Sequence, residues 1–139
     1  MPSPVFADTF YWISLANPGD SAHVAALGFD ALPLRPTIVT TDEVLTEFLT
    51  FFGGKGQFLR RKAVAISLAI FSDPGVRVLP QTRETFRAGF DLYSNRLDKG
   101  YSLTDCISMQ TIRRESITLV LTDDHHFEQE GFSTYFLAV

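Results

Sequence analysis

Apolar positions along the chain follow two alternating rhythms. Short, nearly continuous runs at Val5 to Ala7, Thr37 to Val39, Val76 to Leu79, Thr118 to Leu121 and Thr134 to Leu137 predict β-strands, brief as strands buried on both faces often are. Between them lie longer stretches with helical spacing and recognisable stops. Asp8 to Ala16 ends at Asn-Pro-Gly-Asp, and Ser21 to about Leu32 ends at Pro33 and Pro36. Residues 41–52 end at Gly53 and Gly54, and residues 56–71 end at Ser-Asp-Pro-Gly. Residues 82–97 and 103–115 complete the set, with a short turn of helix around Phe127. The succession βαα-βαα-βαα-βαβ predicts parallel strands joined by right-handed crossovers.

Sheets of this kind bind ligands beyond the carboxyl ends of their strands, so polar residues just after strands, or opening the next helix, are the first candidates for chemistry. Asp8 follows Val-Phe-Ala directly and is read either as an N-cap or as a ligand. The helix over residues 41–52 opens Thr-Thr-Asp-Glu, where Thr40 and Glu43 have capping-box spacing. That leaves Glu47 without a structural task. It lies roughly 60° from Val44 and 40° from Phe51 around the helix, on the border of the apolar stripe. Ser102 and Asp105 form a second predicted capping box, pressed toward the core by Cys106, Ile107 and Met109. After the fourth strand, Asp123 and Asp124 compete for the same two roles, one to cap and one to face a site.

Carboxylates gathered at one sheet edge repel each other unless cations or raised pKa values relieve them. All-oxygen ligation suits Mg²⁺ or Mn²⁺, one or two ions, and such ions serve phosphoryl chemistry by activating water and stabilising the leaving oxygen. His125 and His126 are adjacent, point apart, and have no Cys or His partner at chelating spacing, so both are read as polar turn residues.

Composition narrows the picture. A chain of 139 residues, 45% hydrophobic, is expected to form a single domain over 1–139 with a proper core. The lone Cys106 cannot form an internal disulfide, and neither a leader pattern nor a membrane-length apolar run is visible, so a cytoplasmic protein with no membrane partner is expected. A formal net charge of −4 argues against broad electrostatic adhesion to nucleic acid, although it leaves room for a metal-loaded nuclease. The local run Lys-Gly-Gln-Phe-Leu-Arg-Arg-Lys at 55–62 is read first as a solvated helix face.

Four segments in order, "VFADTFYWISLAN", "TTDEVLTEFLTFF", "RLDKGYSLTDCISM" and "LVLTDDHHFEQEGF", resemble those of PIN-domain ribonucleases, especially VapC-type toxins of toxin-antitoxin pairs. The resemblance covers almost the whole chain. It implies a three-layer α/β/α PIN-like domain with a five-stranded, mainly parallel sheet, and metal-dependent endoribonuclease activity. Position by position, it implies Asp8, Glu47, Asp105 and Asp124 as the catalytic, metal-holding acids. Its closing Thr-x-Asp-x-x-Phe pattern selects Thr122 and Asp124, leaving Asp123 on the variable position as a capping or solvent-facing neighbour. Thr9, Asp98 and Thr122 are implied as supporting residues; Phe10 departs from the small residue many relatives carry.

An RNA substrate, a cognate antitoxin and a homodimer are the implied partners. Glu47 is expected as a further ligand or as the base for water, and Arg60, Arg61, Lys99, Arg113 and Arg114 are candidates for backbone phosphates. Two rivals remain at this level. One is a Mg²⁺-dependent small-molecule phosphatase, which would want a second acid where Phe10 stands; the other is an inactive PIN-like module that binds RNA or protein.

Overall fold

The structure, a computed structural model, describes residues 2–136. Five strands, β1 (Val5–Ala7), β2 (Ile38–Thr41), β3 (Val76–Leu79), β4 (Leu119–Leu121) and β5 (Ser133–Thr134), form one sheet in the order β3-β2-β1-β4-β5. Every pairing is parallel. The helices are α1 (Thr9–Ala16), α2 (His23–Asp30), α3 (Asp42–Gly53), α4 (Gln57–Ser72), α5 (Arg83–Ser94), α6 (Leu103–Arg114) and α7 (His125–Gln129).

The path steps from β1 to β2 to β3 in one direction, then returns past β1 to β4. Right-handed crossovers therefore carry α1 to α4 over one face and α5 to α7 over the other, which gives three α/β/α layers. The reversal falls between β1 and β4. It opens a crevice at their carboxyl ends, where such sheets place ligands.

Strands β1 and β2 are buried throughout, which accounts for the apolar runs Val5–Ala7 and Ile38–Val39. The core beneath the crevice is aromatic, with Phe6, Tyr11, Phe48 and Phe127 all fully buried. On α3, Val44, Leu45, Phe48 and Phe52 form the inward stripe that the sequence spacing predicts. On the opposite face, α5 and α6 make the most extensive helix pair of the described residues.

The expected capping box at Thr40 and Glu43 does not form, because β2 runs two residues further than its apolar pattern. Thr40 and Thr41 still pair with Val78 and Leu79. Thr41 becomes the cap and accepts the Val44 N–H at 3.1 Å. Thr40 turns inward, donating to the Ala7 carbonyl at 3.0 Å and accepting from Trp12 Nε1 at 3.2 Å. Glu43 instead accepts from the Thr85 hydroxyl at 2.9 Å, tying α3 to the start of α5. The box at Ser102 and Asp105 is present as expected. The last strand is shorter and one residue earlier than expected, and Leu137 lies outside the described residues.

Candidate active site

Asp8 occupies the N-cap position of α1 yet makes no side-chain cap bond. Its carboxylate turns across the crevice and accepts from the Thr122 hydroxyl at 3.0 Å, which links the ends of β1 and β4. Thr122 also accepts the Asp124 N–H at 3.2 Å, so one buried hydroxyl sets the positions of two acids. Asp124 caps α7 by accepting the His126 N–H at 2.9 Å. Of the two roles open to Asp123 the structure shows the solvent-facing one, at the crevice rim, because Asp124 itself both caps α7 and faces the crevice.

Glu47 stands a turn and a half inside α3, where Thr9 donates a 2.5 Å hydrogen bond to its Oε1. Asp105 keeps its capping bond from the Ser102 N–H at 3.1 Å and still lines the crevice. For Asp105 and Asp124 the structural and the chemical readings are both satisfied, because a cap uses one carboxylate oxygen and leaves lone pairs over.

These side chains line a cleft of about 670 Å³. Among the described residues, five carboxylates line it, those of Asp8, Glu47, Asp105, Asp123 and Asp124, with no Lys or Arg among its walls. Phe10, Ile13 and Phe51 supply an apolar side. Burial, reinforced by the nearby Asp105 charge, pushes the Asp8 carboxyl up to about 7. Asp105 is also raised, first by burial and then by the charges of Asp124 and Glu47. Uncompensated acids in this arrangement call for a cation.

The residues present fit a divalent metal. Donor atoms of Asp105, Asp124 and His126 all lie within 4.8 Å of one another. His126, expected as a polar turn residue, lies in the first turn of α7 and lines the cleft, its Nδ1 3.4 Å from Asp124 and 3.9 Å from Asp105. The usable signal was its place two residues after a strand-end aspartate that caps a helix, which draws ring and acid together.

The other expected residues lie elsewhere. Asp98 is exposed, 3.8 Å from Lys99, and does not line the cleft. Arg60 donates to the Gly53 carbonyl at 2.8 Å and so caps α3, and Arg61 is exposed. Arg113 is held by Glu130 at 2.8 Å, and Arg114 lies 3.8 Å from Glu115.

The family description of the PIN domain matches residues 5–132. The 23S rRNA-specific endonuclease VapC20 from two strains of Mycobacterium tuberculosis is 27% identical over 128 residues, covering 92% of this chain and 95% of the relative. The crystal structure of M. tuberculosis VapC20, described as a Sarcin-Ricin loop cleaving toxin, superposes with a TM-score of 0.80 at 28% identity, over 92% of this chain and 95% of that one. FitAcB from Neisseria gonorrhoeae shares the fold, with a TM-score of 0.64 at 17% identity, over 94% of this chain and 96% of that one. The chain belongs to the PIN-domain family.

Proposed function

We propose that this protein is a divalent-metal-dependent endoribonuclease, the toxin of a toxin-antitoxin pair. The observation that carries the reading is the cleft itself: acids at the ends of two adjacent strands, at the start of α6 and inside α3, with no Lys or Arg among its described walls. Polyanionic RNA is repelled by such a surface unless metal ions neutralise much of its charge. Likeness to VapC20 over nearly the full length of both chains supplies the substrate class and the toxin role.

Asp8, Asp105 and Asp124 would hold one or two Mg²⁺ or Mn²⁺ ions, with Glu47 as a further ligand or as base. Bound there, the metal supplies Lewis acidity to a phosphate oxygen and eases ionisation of water. Thr122 sets the direction of Asp8 and Asp124, and Thr9 sets that of Glu47. In the role of base, Glu47 would accept the proton of the attacking water. The apolar side formed by Phe10, Ile13 and Phe51 excludes bulk solvent from one flank. In-line attack at phosphorus would then break the bond to the 3′ oxygen, which takes up a proton from solvent, leaving 5′-phosphate and 3′-hydroxyl ends.

We assign the whole chain, 1–139, to one PIN domain acting in the cytoplasm as a homodimer and silenced by a cognate antitoxin, as the likeness to VapC20 suggests. No helix of the described residues is long and apolar enough to cross a membrane.

The test is incubation of purified protein with ribosomal RNA, beginning with the 23S species named for the relative, in Mn²⁺ or Mg²⁺. Specific cleavage that stops with EDTA and drops at least about a hundredfold in Asp8→Asn is expected, because loss of a metal-holding acid removes a principal electrostatic contribution. Intact RNA under all conditions would favour the non-catalytic binding module. Equal cleavage by both proteins would point to a contaminant.

A further inference from the structure

The two adjacent histidines differ in a way that matters for the metal. The His126 ring is partly exposed, yet its Nδ1 is shielded from solvent and has no hydrogen-bond partner among the described residues. Leaving a buried polar atom unpaired costs roughly 1–3 kcal/mol, so such an atom calls for a ligand or a function. The ring is held on two sides. It packs edge-on against Tyr101, with centroids 5.0 Å apart and planes at 60°, and Tyr101 is anchored by its hydroxyl to Glu130 at 2.9 Å. Its Cε1 and Nε2 edge faces Gly100, where an added Cβ would lie 3.8 and 3.9 Å away. The orphan nitrogen is thus left aimed at the acids, 3.4 Å from Asp124 and 3.9 Å from Asp105.

Resting on the metal-nuclease reading, we propose that His126 Nδ1 is a nitrogen ligand of the cleft's cation, beside Asp105 and Asp124, and that it tilts the site toward Mn²⁺ over Mg²⁺. The three donor atoms lie within 4.8 Å of one another, close enough for small side-chain rotations to bring them onto one ion. Mg²⁺ prefers oxygen and gives up water reluctantly, whereas imidazole binds first-row transition ions well. A single nitrogen in an otherwise carboxylate set therefore strengthens Mn²⁺ binding more than Mg²⁺ binding. The adjacent His125 is exposed on the rim and lacks this constraint.

Electron spin-echo spectroscopy of the Mn²⁺-loaded protein tests the assignment without reference to catalysis. The wild type is expected to show ¹⁴N modulation from directly bound imidazole, retained in His125→Asn and lost in His126→Asn, whose amide fills the place of Nδ1. In competition titrations, His126→Asn should lower the ratio of Mn²⁺ to Mg²⁺ affinity by roughly tenfold, the scale on which metal sites respond to loss of one supporting group. Should His126→Asn fail to fold, ¹⁵N-histidine labelling of the wild type and of His125→Asn reads the same bond, through replacement of the ¹⁴N pattern by a ¹⁵N one. Bound Mn²⁺ without nitrogen modulation, or modulation that survives in His126→Asn, overturns the assignment and leaves the nuclease reading intact. Failure to bind either Mn²⁺ or Mg²⁺ overturns both, and binding of Mg²⁺ without Mn²⁺ overturns the assignment alone.

Discussion

Thr122 holds the cleft together through two hydrogen bonds of opposite sense. It donates to Asp8 and accepts from the Asp124 N–H, with its side chain fully buried. Valine at this position keeps the volume and removes both bonds, leaving Asp8 without the donor that partly offsets its burial. Thr122→Val should therefore weaken Mn²⁺ binding and kcat by roughly 10- to 100-fold, the usual cost of losing a supporting contact, while Thr122→Ser restores most of both. Calorimetric metal titration beside single-turnover RNA cleavage checks this. At this scale much of the site was legible in the sequence, because strand-end position marks Asp8 and the Asp123–Asp124 pair whatever their side chains do, and the family resemblance selects Thr122 and Asp124. Hydroxyl donors and lone pairs are different, since they depend on contacts between residues far apart, such as Thr9 with Glu47. His126 has no Cys or His at chelating spacing along the chain, and its neighbours in space are carboxylates, one of them distant in sequence.

Helix α6 carries Asp105 into the cleft, and its position depends on a glycine of the neighbouring helix. A Cβ built on Gly89 of α5 would stand 2.2 Å from the Ile107 Cγ1 and 2.9 Å from the Ile107 Cα and N. The last two atoms are backbone, so a rotamer change cannot relieve the clash and the helices must part. Gly89→Ala is expected to destabilise the fold by about 1–3 kcal/mol despite alanine's better helix propensity, because overpacking outweighs a gain of about 1 kcal/mol. The same shift moves Asp105, only two residues before Ile107, and displacements near 1 Å can cost on the order of a hundredfold in rate. Thermal melts should show Ile107→Ala recovering part of the loss in the Gly89→Ala background, with the backbone contacts accounting for the remainder. Element types and order follow from apolar spacing and breakers, which act locally. Their ends follow less well: β2 continues through Thr40 and Thr41 because β3 offers partners, a nonlocal cause that shifts the cap by one residue.

For the molecule as a whole, the acids that equip the cleft are a burden when no metal is bound. Asp8 has an ordinary pKa near 3.8 in the unfolded chain and about 7 when folded, raised first by burial and then by Asp105. Between those values the folded state binds more protons than the unfolded one, so this group's contribution to stability falls as pH rises from about 4 to 7. Glu130 acts in the opposite sense. Hydrogen bonds from Arg96, Arg113 and Tyr101 lower it from 4.5 to about 2, so its contribution is present above 4.5 and lost as pH falls toward 2. The metal-free protein should therefore be most stable near pH 4 to 5 and lose stability toward neutrality. Asp8→Asn removes the buried charge while keeping an acceptor for Thr122, and at pH 7.5 to 8 it should raise the metal-free melting temperature by roughly 5–10 °C, corresponding to on the order of 2 kcal/mol. In the wild type, millimolar Mn²⁺ should supply a comparable gain at neutral pH and little at pH 4, since protons compete for the same oxygens. The measurement is scanning calorimetry from pH 3 to 8 with EDTA or Mn²⁺, on wild type and Asp8→Asn. If the metal-free wild type gains stability steadily from pH 4 to 7.5 and Asp8→Asn tracks it, then Asp8 is not a buried charge awaiting a cation, and the electrostatic basis of the site fails.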